Sequence, residues 1–426
     1  MLKRFTKEER GWIYYDWANS AFSAIVAAIV LPLFFAGQAS TAFVAGGMTP
    51  AAANTHATAL WGYATSLATL VCALLAPVLG ALGDYPGYKK RLFTVFAAVG
   101  ILGSLLLGFT GSWPLLLIFY IISNIGFNAS CLYYDSFLND VTTEDRMDLV
   151  SAYGYGLGYI GGSTIPLVVA LIIIQFGDKI GISAEAAARI SFVLTAVWWA
   201  VFTLPMLKNV RQRHSVPREQ GNLMAQSFRR VGRTALDILR HKGVMWFLIA
   251  YFFYIDGVGT IIHMATIFGN AAGLESMSMM WVMMVVQLVA FPCAILYGIL
   301  AKKIGGRNMI LIGIGTYCVV CLVGLRLHTL TDFLLLGALV GTAQGGLQAL
   351  SRSYFGKLVP DERSAEFFGF FDIFGKFSAV VGPALFGLVA QVTGVPHAGV
   401  VVVLALFLIG GGIFTFLVPK AQQSIR

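Results

Sequence analysis

The chain has 426 residues, of which 58% are hydrophobic and only 12% charged, and its mean hydropathy is +0.79. A soluble domain carries about 25% charged residues, so this composition excludes an ordinary globular protein. The net charge of +9 is a question of where basic residues lie relative to a bilayer, and no nucleic-acid partner is implied.

Apolar stretches of about 20 residues, enough to cross a bilayer, recur from one end to the other. Twelve spans are predicted, at about 12–36, 59–83, 92–110, 114–138, 149–175, 187–206, 244–268, 277–300, 308–327, 331–356, 365–391 and 397–418. The opening MLKRFTKEER and the apolar run after it superficially resemble a signal peptide. That run holds Asp16, Trp17 and Asn19, has a counterpart later in the chain and ends in no convincing cleavage site, so it reads as a retained first helix. The expected fold class is an all-α membrane protein of twelve transmembrane helices in two six-helix bundles. No soluble domain fits in the remainder. Cys318 and Cys321 form a C-x-x-C within a span. They read as small buried hydrophobes rather than a redox or metal pair.

Two stretches break the apolar pattern most clearly. Residues 37–58 carry no Lys, Arg, Asp or Glu, whereas 207–243 hold nine Lys/Arg against two acids. The second divides the chain into an N-terminal bundle (1–206), a basic linker (207–243) and a C-terminal bundle (244–426). With twelve crossings both termini and the linker share one side. That side collects 24 Lys/Arg against three on the other, which places it in the cytoplasm, with the inner cell membrane as the expected location. Residues 226–242 suit either a basic amphipathic helix on anionic lipid or a solvated loop.

The two halves resemble each other. GALGDYPGYKKR (80–91) and GILAKKIGGRN (298–308) align at an offset of 218, which sets Gly80 on Gly298, Gly87 on Gly305 and Lys89 on Arg307. The same offset sets Asp135 on Ser353. At an offset of 240, Asp16, Asn19, Ser20 and Ser23 fall on Asp256, Gly259, Thr260 and His263. Spacings of 3, 4 and 7 put each set on one helix face.

Those faces are polar within apolar helices. Asn124, Asn128, Asp135 and Asn139 form a stripe on the fourth span, and Gln344, Gln348, Ser351 and Arg352 one on the tenth. An ionisable group in hydrocarbon costs roughly 2.5–3.5 kcal/mol even on the insertion scale, so such stripes are expected to converge on a shared cavity. Asp372 and Lys376 are i, i+4 and able to pair. Arg352 has no partner on its own helix and needs Asp135, Asp16, Asp256 or a substrate anion. The intramembrane acids outnumber the bases four to two, leaving carboxylates available for proton exchange, with His263 a further titratable group. Small residues at Gly154, Gly158 and Gly162 mark close helix approach.

GALGDYPGYKKR resembles the loop between helices 2 and 3 of the major facilitator superfamily, through Gly80, Asp84, Gly87, Lys89, Lys90 and Arg91. The resemblance implies that this loop latches a cytoplasmic gate. The second copy carries Lys302 where the acid would stand, a departure from that pattern. YYDWANSAF (14–22), GGLQALSRSYFGKLVP (345–360) and AEFFGFFDIFGKFSAVVGPALFG (365–387) further resemble the permease family related to the autophagy-linked vacuolar effluxers of fungi. Asp16, Asn19, Gln348, Ser351, Arg352, Asp372 and Lys376 lie in those blocks. The resemblance implies a carrier of a small polar or amphipathic solute, an amino acid first. Alternating access is the expectation from two bundles about a central site, and proton coupling through Asp16, Asp135 or Asp256 the expectation from the intramembrane carboxylates.

The candidate binding residues are Asp16, Asn19, Asn128, Asp135, Asp256, His263, Gln344, Gln348, Arg352, Asp372 and Lys376, and the candidate gating residues Gly80, Asp84, Gly87, Lys89 and Arg91. The expected partners are a small-molecule substrate, protons and membrane lipids, and the expected state is a monomer. No cofactor or metal is expected, and no enzyme: the sequence offers no spaced nucleophile and His and no phosphate-cradling Gly loop. The rival readings are a lipid flippase or scramblase and a non-transporting membrane sensor.

Overall fold

The structure, a computed structural model, describes residues 2–218, 221–271, 276–325, 329–393 and 398–419, with the side chains of 163, 263–281 and 379–380 left aside. Every long element among the described residues is a helix. Twelve of these are long and apolar enough to span a membrane. In chain order they are α1 Lys7–Ala45, α2 Pro50–Gly83, α3 Tyr88–Leu107, α4 Trp113–Val141, α5 Glu144–Ile180 and α6 Ala184–Asn209. The linker helix α7 Leu223–Arg240 follows, then α8 Lys242–Ala271, α9 Ser276–Ile304, α10 Gly306–Gly324, α11 Leu330–Leu358, α12 Ser364–Thr393 and α13 Gly399–Phe416. Large apolar side chains stand exposed on the spans, among them Leu33, Tyr63, Leu74, Leu204, Leu335 and Leu408. Such faces are stable against lipid and costly against water.

Helix ends follow local chemistry. A capping box starts α1: the Thr6 hydroxyl accepts from the Glu9 N–H at 3.1 Å, and the Glu9 carboxylate accepts from the Thr6 N–H at 2.8 Å. Thr329 and Asp332 repeat the device at α11. The charge-free stretch 37–58 differs from the loop expected there. It is helical to Ala45 and again from Pro50, because an Ala-rich sequence without competing polar caps extends a helix already formed. The basic linker likewise contains an 18-residue helix, α7, whose N-cap Asn222 accepts from the Met224 and Ala225 N–H groups.

The chain forms two compact units. The first comprises residues 1–75, 87–134 and 157–211. Its core is aromatic, with Trp12, Tyr15, Phe22, Tyr133 and Trp199 fully buried. α1 packs against α6 and against a π-helical turn of α5, Gly158–Thr164. α1 has its own π-helical turn at Phe22–Ile29. Gly158 and Gly162 face Ser20 of α1, which is where the small residues of α5 allow close approach. α3 and α4 meet through Gly100 and Gly126: a Cβ on Gly126 would lie 2.3 Å from the Gly100 nitrogen.

The second unit comprises residues 76–86, 135–156 and 212–426. It takes in the end of α2, the end of α4 and the first turns of α5 together with the linker and α8–α13. α9 packs along α11, and α8 lies against α12 and α13. Phe247, Tyr254, Tyr317, Phe355 and Phe407 are fully buried in its core.

Backbone contact at Gly126 yields a stability prediction. Gly126→Leu overpacks the α3–α4 contact and should destabilise by at least about 1–3 kcal/mol, read as a lower melting temperature and poor recovery of monodisperse protein. Gly62→Leu, where nothing lies within 4 Å, should leave both unchanged.

Candidate functional site

Both intramembrane bases of the second unit, Arg352 and Lys376, are paired with acids. Arg352 of α11 is 2% exposed and its Nη1 donates to Asp135 Oδ1 at 2.8 Å. Its Nε donates to the Ser151 hydroxyl at 3.0 Å and its Nη2 to the Ser151 carbonyl at 3.2 Å. The guanidinium also lies 4.4 Å from the Tyr155 ring centroid. An arginine this buried is tolerated because an anion, two neutral acceptors and a π face surround it. Asp135 remains 27% exposed on its side chain, so one end of the pair is open. Asp372 and Lys376 of α12 pair with each other one turn apart.

Asp256 of α8 is used differently. Its Oδ1 accepts the backbone N–H of Gly382 at 2.8 Å, while Oδ2 is buried without a partner. Gly382 precedes Pro383 inside α12, and a Cβ there would fall 2.5 Å from Asp256 Oδ1. One turn along α8, the Thr260 hydroxyl is also unpartnered. Thr260, Gln287 and Gln344 line a cavity of about 150 Å³ whose remaining walls are largely apolar. The Gln287 and Gln344 Oε1 atoms are buried and unpaired, so the cavity holds unmet hydrogen-bonding capacity. Gln348 is half-buried. The side chain of His263 lies outside the described residues.

The end of this unit rich in charged loops is closely tied. Asp84, fully buried, accepts the backbone N–H groups of Ala365 and Glu366 at 2.9 Å each. These are orphan donors of the first turn of α12, where a carboxylate is favoured. Gly80 makes the approach possible, since a Cβ would sit 2.2 Å from the Ala365 carbonyl oxygen. Glu366 accepts from Arg230 at 2.7 Å and from the Thr234 hydroxyl at 2.7 Å. Burial disfavours the charged guanidinium of Arg230, but the Glu366 and Asp84 carboxylates outweigh it and raise its pKa above the ordinary value. In the second copy, Gly298 packs against Ala152, where a Cβ would be 2.4 Å away. There Asp148 accepts from Ser353 at 2.6 Å and from Lys357 at 2.7 Å. Asn139 donates to the Gly356 carbonyl and to Asp361, at 2.8 Å each. Asp140 accepts the backbone N–H groups of Arg213 and His214.

In the first unit, Asp16 accepts the Tyr134 hydroxyl at 2.8 Å. Tyr134 stacks on Trp12 at 4.4 Å between centroids. Asn19 is buried with its Nδ2 unpartnered. Asn128 donates to Asn124, and Asn124 to the Tyr120 hydroxyl at 3.1 Å, so this part of the α4 stripe bonds along its own helix. Gly87 has φ of +76° at the start of α3. Lys89 is fully buried and Arg91 exposed, while Lys90 donates to the Val210 carbonyl at 2.7 Å.

Sequence reasoning missed Asp148, Ser151, Tyr155, Arg230 and Glu366. The offset of 218 that aligns Gly80 with Gly298 also aligns Asp148 with Glu366, a signal that was available.

The chain matches the family described as "Vacuole effluxer Atg22 like" over residues 5–424. It is 45% identical to the MFS-type transporter YxiO of Bacillus subtilis (strain 168), covering 100% of this chain and 98% of that one. It is 24% identical to autophagy-related protein 22-1 of Emericella nidulans, covering 90% and 85%. Among solved structures, the human organic anion transporter MFSD10 (TETRAN) matches with a TM-score of 0.66 at 15% identity, covering 96% and 98%. The transporter FucP in its outward conformation matches with a TM-score of 0.69 at 14% identity, covering 97% and 99%. At those identities the likeness is one of fold. Twelve apolar helices, a family match along nearly the whole chain and a relative 45% identical over all of it place this protein: it is an integral multi-pass membrane transporter of the major facilitator superfamily and belongs to the Atg22-like family.

Proposed function

We propose that the protein is a secondary carrier that moves a small polar or amphipathic organic solute, an amino acid first, by alternating access and with protons as the coupling ion. The Arg352–Asp135 pair carries this reading. A guanidinium 2% exposed is held by a carboxylate 27% exposed, inside helices otherwise fit for hydrocarbon. A substrate carboxylate that reaches Asp135 competes for the same fork of donors. A proton on Asp135 weakens its hold on Arg352, and the two events are thereby coupled. The matching family is described as vacuole effluxer-like, which favours export. The 24 Lys/Arg on the side shared by both termini and the linker favour a cytoplasmic placement of that side in a cell membrane.

On this reading the contacts of Asp84, Asp148, Lys357 and Asn139 form the closed cytoplasmic gate. They join segments 76–86 and 135–156 to α11 and α12, and each must part when that side opens. A carboxylate on two backbone N–H groups and a half-buried ion pair are suited to repeated breaking, because water can replace both partners.

A thermal-shift screen of the purified protein against amino acids, peptides, sugars and phosphorylated metabolites tests the substrate class. Amino acids should raise the melting temperature, with ~2.7 kcal/mol of added stability at a concentration 100 times Kd; stabilisation by sugars alone would overturn the assignment. Arg352→Lys keeps the charge and loses the fork. It should weaken binding of the stabilising ligand at least about tenfold, as expected when a charge-assisted hydrogen bond of the fork is lost, and unchanged affinity would remove Arg352 from the site.

Transport in proteoliposomes tests the coupling. Collapsing the pH gradient should slow uphill movement of the ligand in the wild type, and Asp135→Asn should transport at the same rate with or without the gradient. A wild type indifferent to the collapse would rule out proton coupling.

A further inference from the structure

The linker helix α7 holds side chains that neither the fold nor the carrier mechanism uses. Its inner face is committed: Ser227, Thr234 and Ile238 are buried, and Arg230 and Thr234 hold Glu366. The rest of its surface divides in two. At about 100° per residue, Met224, Phe228 and Leu239 share one flank, Arg229, Arg233 and Arg240 share another, and Leu236 lies between. These four apolar side chains are 48–62% exposed. Arg229 and Arg233, one turn apart, have no carboxylate partner among the described residues. They open onto a pocket of about 410 Å³ also lined by Tyr85, Gln226, Arg230 and Arg363. Arg230 is neutralised by Glu366, and Arg363 by Asp237 at 2.9 Å, so the unmet charge belongs to Arg229 and Arg233.

Position fixes what that surface meets. α7 ends at Arg240 and the spanning helix α8 begins at Lys242, so the C-terminal end of α7 lies at the edge of the bilayer. A helix there with an exposed Phe/Leu flank and an adjoining arginine flank has the make-up of an interfacial helix. The apolar flank seats among acyl chains, and the arginines sit at headgroup level, where each basic residue gains about 1 kcal/mol beside anionic lipid. Two guanidiniums at i, i+4 present paired donors suited to a phosphodiester.

We propose that this pocket is a binding site for the headgroup of an anionic phospholipid, whose phosphate is held by Arg229 and Arg233 and whose acyl chains lie against Phe228, Leu236 and Leu239. The site adjoins the Arg230–Glu366–Asp84 contacts, so the bound lipid would brace the first turn of α12. Free phosphate shares the chemistry of the headgroup but makes no use of the apolar flank, which is why the lipid is assigned.

The test uses the full-length protein in nanodiscs and in detergent. Native mass spectrometry of protein released from mixed phosphatidylglycerol/phosphatidylcholine discs should show phosphatidylglycerol retained in preference. Arg229→Gln with Arg233→Gln should lower that preference about tenfold at unchanged melting temperature, both positions being exposed. Leu236→Gln with Leu239→Gln should lower it as well. In detergent, glycerol phosphate should fail to displace the retained lipid. Undiminished preference in the arginine variant overturns the proposal. Displacement by glycerol phosphate, or indifference to the leucine changes, shows a soluble-anion site and overturns the lipid assignment.

Discussion

Burying one guanidinium in a protein made for hydrocarbon sets the terms for the second unit. Arg352 is 2% exposed and the acid of its own helix, Asp332, lies twenty residues away in the first turn, so α4 and α5 must come to it. Asp135 supplies the charge, Ser151 two oxygens and Tyr155 a π face. Ser151 is itself tied to α11 through its hydroxyl, which donates to the Ala349 carbonyl at 2.7 Å. This interlock explains why the ends of α4 and α5 pack with the second half of the chain rather than with the helices that precede them. Removing one partner of such a group costs about 3–5 kcal/mol, which makes the arrangement firm. Exposure of Asp135 keeps it reversible.

The internal repeat shows the same mechanical part used twice with different chemistry. Gly80 and Gly298 each let the end of a helix reach the first turns of another, α12 in one case and α5 in the other. At the first contact Asp84 caps backbone N–H groups. At the second, Lys302 replaces the acid, and the work passes to Asp148 with Ser353 and Lys357. A dipole cap and a side-chain ion pair differ in their sensitivity to salt and geometry: the cap is fully buried and directional, whereas the pair keeps 13–14% of its side chains exposed and is the more open to screening. The two contacts therefore need not have equal strength.

Much of this was legible in the sequence because hydrocarbon is a strict solvent. The twelve apolar helices follow from the cost of polarity in hydrocarbon. Partner choice was not legible. Arg352 had Asp16, Asp135 and Asp256 as candidates, and only packing of α11 on α4 selects Asp135. Glu366 was passed over because an acid in the first helical turn is ordinarily a dipole complement at the surface, and Asp148 because it follows Glu144 and Asp145 in a charged helix start. Nothing local shows that these two are enclosed. The charge-free stretch 37–58 looked like a loop by polarity, yet helix propensity prevailed where no cap or proline stopped it before Gly46.

Two acids distant in sequence act on one helix. Asp84 holds α12 at its first N–H groups, and Asp256 holds it again at Gly382. The second hold sits where α12 is weakest, because Pro383 lacks an N–H and interrupts the ladder of intrahelical bonds. The Asp372–Lys376 pair lies between them. The helix is thus fixed at its start and gripped again beside the proline. Carboxylates make such holds switchable in a way that amides do not, since gaining a proton removes the charge that the backbone dipoles favour. The acids of α2 and α8 thus bear on α12 without touching one another, through the helix whose backbone they share.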